Sequence, residues 1–310
     1  MSYLHDEKIK FLEQKAREIR VSTIESLIEA GSGHTAGPLG MADVFTTLFF
    51  HTLKHNPKRP DWKERDLLVL SNGHICPVYY ATLAHAGYFP IEELKTLRKF
   101  GSRLQGHPHR DFLPFLETSS GPLGSGLSQA IGMALALRID AGEGMRGPVS
   151  GGVNFDSHRY IYCLMSDGEH DEGNTWEGIM LAAKYKVHNL IAIVDRNNIQ
   201  IDGNTEDVMP LEPLADKWRA FGWHVQEVDG HNYYDINMAV DRAKAVFEKP
   251  SVVIAYTISG KGVQEIEGDY RWHGVPPGKG PENVWKKEDQ GPAMLRELRT
   301  LSGKIRAEHH

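Results

Sequence analysis

Short runs of consecutive apolar residues, each followed by a segment of helical spacing, constrain this chain more than any other feature. Leu190-Ile191-Ala192-Ile193-Val194 is such a run. A strand apolar on both faces needs both faces covered, which is the arrangement of a parallel sheet flanked by helices. Comparable strand-like runs lie at 67–70, 160–165, 224–228 and 252–256, with helical spacing at 176–187, 214–221 and 234–247. This is a βαβ alternation, and it predicts one α/β domain: a doubly wound, mostly parallel sheet with helices on both faces.

Upstream, residues 7–30 place Phe11, Leu12, Ile19, Ile24, Leu27 and Ile28 near helical spacing, with Gly31 positioned to end the helix. Further helices are expected over 41–53 and 128–140, and loops over 144–157 and 274–281, where Gly, Pro and polar residues gather. The predicted division is a domain over 1–285 and a helical tail over 286–310, its helix near 294–301. His309 and His310 resemble the stub of a purification tag and carry no argument.

The chain has 310 residues, 40% of them hydrophobic, enough for a full core, and a formal net charge of -6 without a basic run. Nucleic acid and anionic membrane are therefore not expected as partners. The charged N-terminal stretch lacks the apolar core of a signal peptide, and no apolar segment reaches membrane-spanning length, so a cytoplasmic protein is expected. Cys76 and Cys163 are too few for a disulfide framework and read as buried structural thiols.

In an open parallel sheet, ligands sit beyond the carboxyl ends of the strands. Asp167 falls at one such end and Asn197 just past the next. With a single helix between the two strands, the crossover places them side by side. A carboxylate, an amide oxygen and the backbone carbonyl of Ile199 form half of an oxygen shell suited to Mg2+, for which Ca2+ or Mn2+ can substitute. Gly168 permits close approach of a bulky ligand, and Asn174-x-x-Glu177 has the form of a capping box. Four of the 16 histidines, His34, His74, His107 and His273, stand beside glycines in loops, where an imidazole can face a ligand. Taken singly, each of these features is also common in ordinary turns.

Taken together, Asp167-Gly168-Glu169 through Glu172-Gly173 to Trp176-Glu177, followed by Asn197-Asn198-x-Gln200-Ile201-Asp202-Gly203, resembles the thiamine diphosphate (ThDP) motif of transketolases. The resemblance runs from about Phe11 to His273 and is to the split form, in which this domain is a separate N-terminal subunit. It implies that Asp167, Asn197 and Ile199 hold the metal, and that Gly168, Glu169, Asn197, Lys261 and the Gly121-Pro122-Leu123-Gly124 loop meet the cofactor. By the same resemblance His34, His74, His107 and His273 are the catalytic histidines: His74 and His273 contact the cofactor diphosphate or the sugar near the thiazolium, His34 and His107 bind and polarise the substrate hydroxyls and carbonyl, and Arg98 helps hold the sugar phosphate. Glu172 would lie at a subunit interface.

Two departures stand out: Ser125 replaces a usual glutamine, and His34 is followed by Thr35-Ala36-Gly37-Pro38 rather than the family's Pro-small-small segment. The second implies a different substrate-side wall. The family's activating glutamate lies on a pyrimidine-binding domain, here expected from a C-terminal partner subunit in a heterotetramer. Weighed against ketol transfer between sugar phosphates are a specialised transketolase for a sulfonated or branched sugar, the α subunit of a 2-oxo acid dehydrogenase, and a non-catalytic ThDP-binding scaffold.

Overall fold

The computed structural model describes residues 4–142 and 159–300. The loop expected at 144–157 and the final histidines lie outside them. Five strands, β1 (Leu67–Leu70), β2 (Ile161–Ser166), β3 (Leu190–Arg196), β4 (His224–Asp229) and β5 (Ser251–Tyr256), form one sheet in the order β1-β2-β3-β5-β4. Every pairing in it is parallel. In chain order the helices are α1 (Asp6–Ala30), α2 (Ala36–Thr47), α3 (Cys76–His85), α4 (Ser125–Asp140), α5 (Gly173–Lys184), α6 (Thr205–Val208), α7 (Leu214–Ala220), α8 (Tyr233–Lys244) and α9 (Lys287–Thr300).

The period-2 alternation of each strand divides the core into two halves. In β3, Ile191 and Ile193 pack with side chains of α1, α2, α3 and α8. Leu190, Ala192 and Val194 pack with those of α4, α5 and α7 on the opposite face. The result is a three-layer sandwich with all strand carboxyl ends at one rim, as the apolar runs require.

Three local departures have physical causes. Helix α2 begins at Ala36 rather than 41, and a π-helical turn, Leu48–Thr52, replaces its expected end. Its first turns carry Gly37, Pro38 and Gly40, which read as a loop, yet the glycines permit contact. A Cβ at Gly40 would lie 2.9 Å from the Ile258 carbonyl oxygen, and one at Gly37 2.9 Å from Ile75. Helix α3 has nine buried residues, Cys76 through Ala84, so it lacks the polar face that marks an amphipathic helix in sequence. Finally, Asn174 and Glu177 do not form a capping box. Helix α5 starts at Gly173, which puts Asn174 in its first turn with the amide directed to the Leu123 carbonyl.

Helix α9 packs on the same domain, with Met294 and Leu298 against Ile24, Leu39 and Trp272. The buried Gln290 in this helix accepts from the Gly278 and Gly280 amides and donates to the Gly280 and Pro281 carbonyls. That fixes the glycine- and proline-rich stretch just after His273.

Candidate active site

At the carboxyl rim of β2 and β3 the chain turns into a cleft of about 170 Å³. Its lining includes Asp167, Gly168, Asn197 and Ile199 from these two strand ends, His34, His74 and His273 from three loops, and Leu123 from the glycine loop before α4. Parallel register sets the first group side by side: Ser166 pairs with Asp195, and the Asp167 amide donates to the Asp195 carbonyl.

Asp167 is held from several sides. One carboxylate oxygen accepts from the Gly168 amide at 2.8 Å. The other accepts from Arg196 Nη1 at 3.1 Å and the Asn198 amide at 2.8 Å. Arg196 is itself buried and reaches on to Glu206 and Glu212. Asn197 gives its amide nitrogen to Asp195 Oδ2 at 2.8 Å, while its oxygen accepts from the Ile199 amide at 3.1 Å. His170 is buried beneath this turn; Nδ1 bonds the Asp167 carbonyl and Nε2 accepts from the Trp218 indole, which assigns the ring proton to Nδ1. Burial raises the Asp167 carboxyl despite Arg196, and takes Asp195 up to about 7.

The four loop histidines form a continuous file. The His107 ring lies 4.7 Å from that of His74, His74 lies 5.0 Å from His34, and His34 lies 5.5 Å from His273, all edge to face. Arg98 is exposed, and its guanidinium rests over the glycines before His34 and His107: a Cβ on Gly106 would meet Arg98 Cζ at 3.1 Å and one on Gly33 would meet Nη1 at 3.4 Å.

Burial, with the neighbouring rings, drives His34 down to about 3 and His74 to about 4; His107 and His273 are also lowered, burial being the first cause. All four are neutral at pH 7, each offering one donor and one acceptor. Their folded pKa values lie below the unfolded value of 6.5, so from there toward pH 4 the unfolded chain binds more protons than the folded one. Folding stability is therefore expected to fall across that window as pH drops, and to be independent of these groups above it. Urea unfolding of the ligand-free chain between pH 7 and 4 checks this, with a shallower slope expected in the His34→Gln, His74→Gln double variant.

Other expected site residues stand behind or beside the cleft. Glu169 is fully buried and does not line it: its carboxylate accepts from Ser71 Oγ and from the Gly124 and Ser166 amides, tying two rim loops to the end of β2. Gly124 has a positive φ of 76°, and a Cβ there would sit 2.0 Å from the Asn174 side-chain oxygen. Gly121 packs against His107, and Pro122 is exposed. Lys261 is 7% exposed, and among the described residues its ammonium makes no hydrogen bond or ion pair. Glu172 is exposed at the start of α5. Asn72 and Arg196 were not anticipated. Each adjoins an anticipated residue, Asn72 in Ser71-Asn72-Gly73-His74 and Arg196 before Asn197, and that adjacency was the available signal.

Residues 12–290 match the family described as "Transketolase, thiamine diphosphate binding domain". The 6-deoxy-6-sulfo-D-fructose transketolase subunit of Clostridium sp. is 43% identical over 275 residues, covering 89% of this chain and 94% of that protein. One subunit of the apulose-4-phosphate transketolase of Phocaeicola vulgatus is 38% identical, covering 87% and 90%. Against Transketolase 1 of Escherichia coli the identity is 40%, but the match spans only 39% of that longer protein. A crystal structure of Pichia stipitis transketolase superposes with a TM-score of 0.82 at 34% identity, over 94% of this chain and 40% of that one. With the motif, the parallel sheet and the matched length in agreement, the chain belongs to the transketolase thiamine diphosphate-binding domain family.

Proposed function

We propose that this chain is the N-terminal subunit of a two-chain cytoplasmic transketolase, moving a two-carbon ketol unit from a ketose phosphate to an aldose phosphate. The observation that carries this reading is the single cleft shared by Asp167, Asn197 and Ile199 with His34, His74 and His273. The donor set, a carboxylate, an amide oxygen and a carbonyl, is all hard oxygen and fits Mg2+. An unpartnered polar atom also fits an organic anion at this site: His273, which lines the cleft, has a buried Nδ1 without a hydrogen-bond partner, and Lys261, on the loop after β5, lacks a counter-ion among the described residues.

In this reading Asp167, Asn197 and Ile199 hold the metal, Lys261 faces the diphosphate, and Gly168 and the loop at 121–124 flank the cofactor. Bound ThDP supplies the electron sink that ketol transfer requires. The neutral histidines orient the sugar by donating to its carbonyl and accepting from its hydroxyls, and they exchange protons as C–C bonds break and form. Arg98, at the edge of the file, takes the sugar's terminal anion. A partner subunit contributes the glutamate that activates the pyrimidine, with Glu172 at an interface of a heterotetramer.

The two split relatives named for a sulfonated ketose and for apulose 4-phosphate favour a second, narrower reading, in which the substrate is a sugar modified at one end. The test is ketol transfer by the chain with Mg2+ and ThDP, alone and mixed with the protein encoded beside it. Turnover of a phosphorylated or sulfonated ketose only in the mixture is expected; turnover by the chain alone would overturn the two-chain reading.

A further inference from the structure

Asn72 follows β1, lines the cleft and is 2% exposed, yet neither its side-chain oxygen nor its nitrogen has a hydrogen-bond partner. Its chain neighbours are well satisfied. The Ser71 hydroxyl donates to Glu169 and accepts from the Gly126 amide, the Gly73 amide donates to the Ser71 carbonyl, and the Asn72 carbonyl accepts from the Ile75 amide. Within Ser71-Asn72-Gly73 the carboxamide alone is left over, while Ser120 Oγ beside Gly73 and His273 Nδ1 in the same cleft are likewise unpaired. Buried amides in native proteins are nearly always paired, and an unmet donor and acceptor in one side chain is a standing cost to the fold. A cleft-lining group that stays unpaired when empty is suited to being paired when the cleft is filled.

The kind of partner follows from the atoms. The carboxamide nitrogen needs an acceptor, which a diphosphate could supply, but its oxygen needs a donor, and ionised diphosphate has none. An amino-substituted ring or a sugar hydroxyl has both. We infer that Asn72 is a ligand-contacting residue whose carboxamide both donates to and accepts from the organic portion of the bound molecule, the aminopyrimidine-bearing cofactor or the ketose hydroxyls, and not its diphosphate. This rests on the proposed reading of the cleft as the ThDP and sugar site.

The test compares wild type with Asn72→Leu and Asn72→Ala in the assembled two-chain protein, by thermal unfolding, by titration with Mg2+-ThDP and with Mg2+-pyrophosphate, and by KM for the ketose. Because leucine replaces unmet polar atoms with an apolar group of similar size, the melting temperature of the ligand-free Asn72→Leu protein is expected to be equal to or above wild type. Affinity for Mg2+-ThDP should weaken about tenfold, one or two hydrogen bonds' worth, with pyrophosphate affinity unchanged. A rise of similar size in KM at unchanged ThDP affinity would place the contact on the sugar instead and equally support the inference. Equal loss of ThDP and pyrophosphate binding would overturn it, as would a lowered melting temperature with every affinity intact; if leucine does not fit, the alanine variant is judged on the same affinities. Failure of the wild-type complex to bind ThDP would instead sink the reading of the cleft.

Discussion

Asp167→Asn is expected, on the proposed reading of the cleft as a metal site completed by a partner subunit, to lose more ketol transfer than the roughly 10- to 100-fold that removal of an outer partner of a metal costs. The carboxylate uses both oxygens as acceptors: one for the Gly168 amide, the other for Arg196 and the Asn198 amide. A carboxamide has one acceptor, so its NH2 group must face one of these donor sets, a mismatch worth about 1–3 kcal/mol. The variant also lacks the charge that a hard cation selects. Two readouts separate the effects. Urea unfolding of the ligand-free chain reports the mismatch, and Mg2+-dependent ThDP binding reports the missing ligand. Near wild-type turnover would remove Asp167 from the metal site, whatever happened to stability.

The scaffold was legible because its signals are local. A run such as 190–194, apolar on both faces, has few places to go other than the interior of a parallel sheet, and topology then brings consecutive strand ends, here Asp167 and Asn197, to one rim. What was not legible depends on contacts distant in sequence. Gly37 and Gly40 look like loop residues until Ile75 and Ile258 are seen to press against them. Glu169 sits in the motif like a ligand-facing acid, yet its carboxylate is consumed by two rim loops and the end of β2. Asn72 has no pattern of its own, since what marks it is a carboxamide left without partners between Ser71 and Gly73, whose polar groups are paired. Composition cannot express that difference.

His231, ordinary in sequence, belongs to a buried network whose loss should have the largest effect on folding. Asp43 and Arg20 are each 1% exposed. Asp43 accepts from both terminal nitrogens of Arg20, from the Tyr233 hydroxyl at 2.7 Å and from His231 Nδ1 at 2.7 Å. His231 Nε2 in turn accepts from the Ile258 amide at 2.8 Å, at the head of the loop that carries Lys261. Removing one member of a buried pair leaves the other charge uncompensated, so Asp43→Ala is expected to cost about 3–5 kcal/mol, a large part of the roughly 5–15 kcal/mol typical of a domain.

The same network fixes an acid dependence. Burial pushes the Asp43 carboxyl up, but the Arg20 charge and the hydrogen bonds from His231 and Arg20 overcome it and hold the group well below its ordinary 3.8. A depressed carboxyl contributes stability that is complete above the unfolded pKa and is lost as pH falls below it toward the folded one. Urea unfolding should therefore show wild-type stability declining below about pH 4, with a shallower decline in Asp43→Ala because that contribution is already gone. Parallel curves for the two proteins, offset or superimposed, would mean that Asp43 does not carry the linkage. A stability loss confined to a few tenths of a kcal/mol would mean that Arg20 finds another partner when the carboxylate is removed.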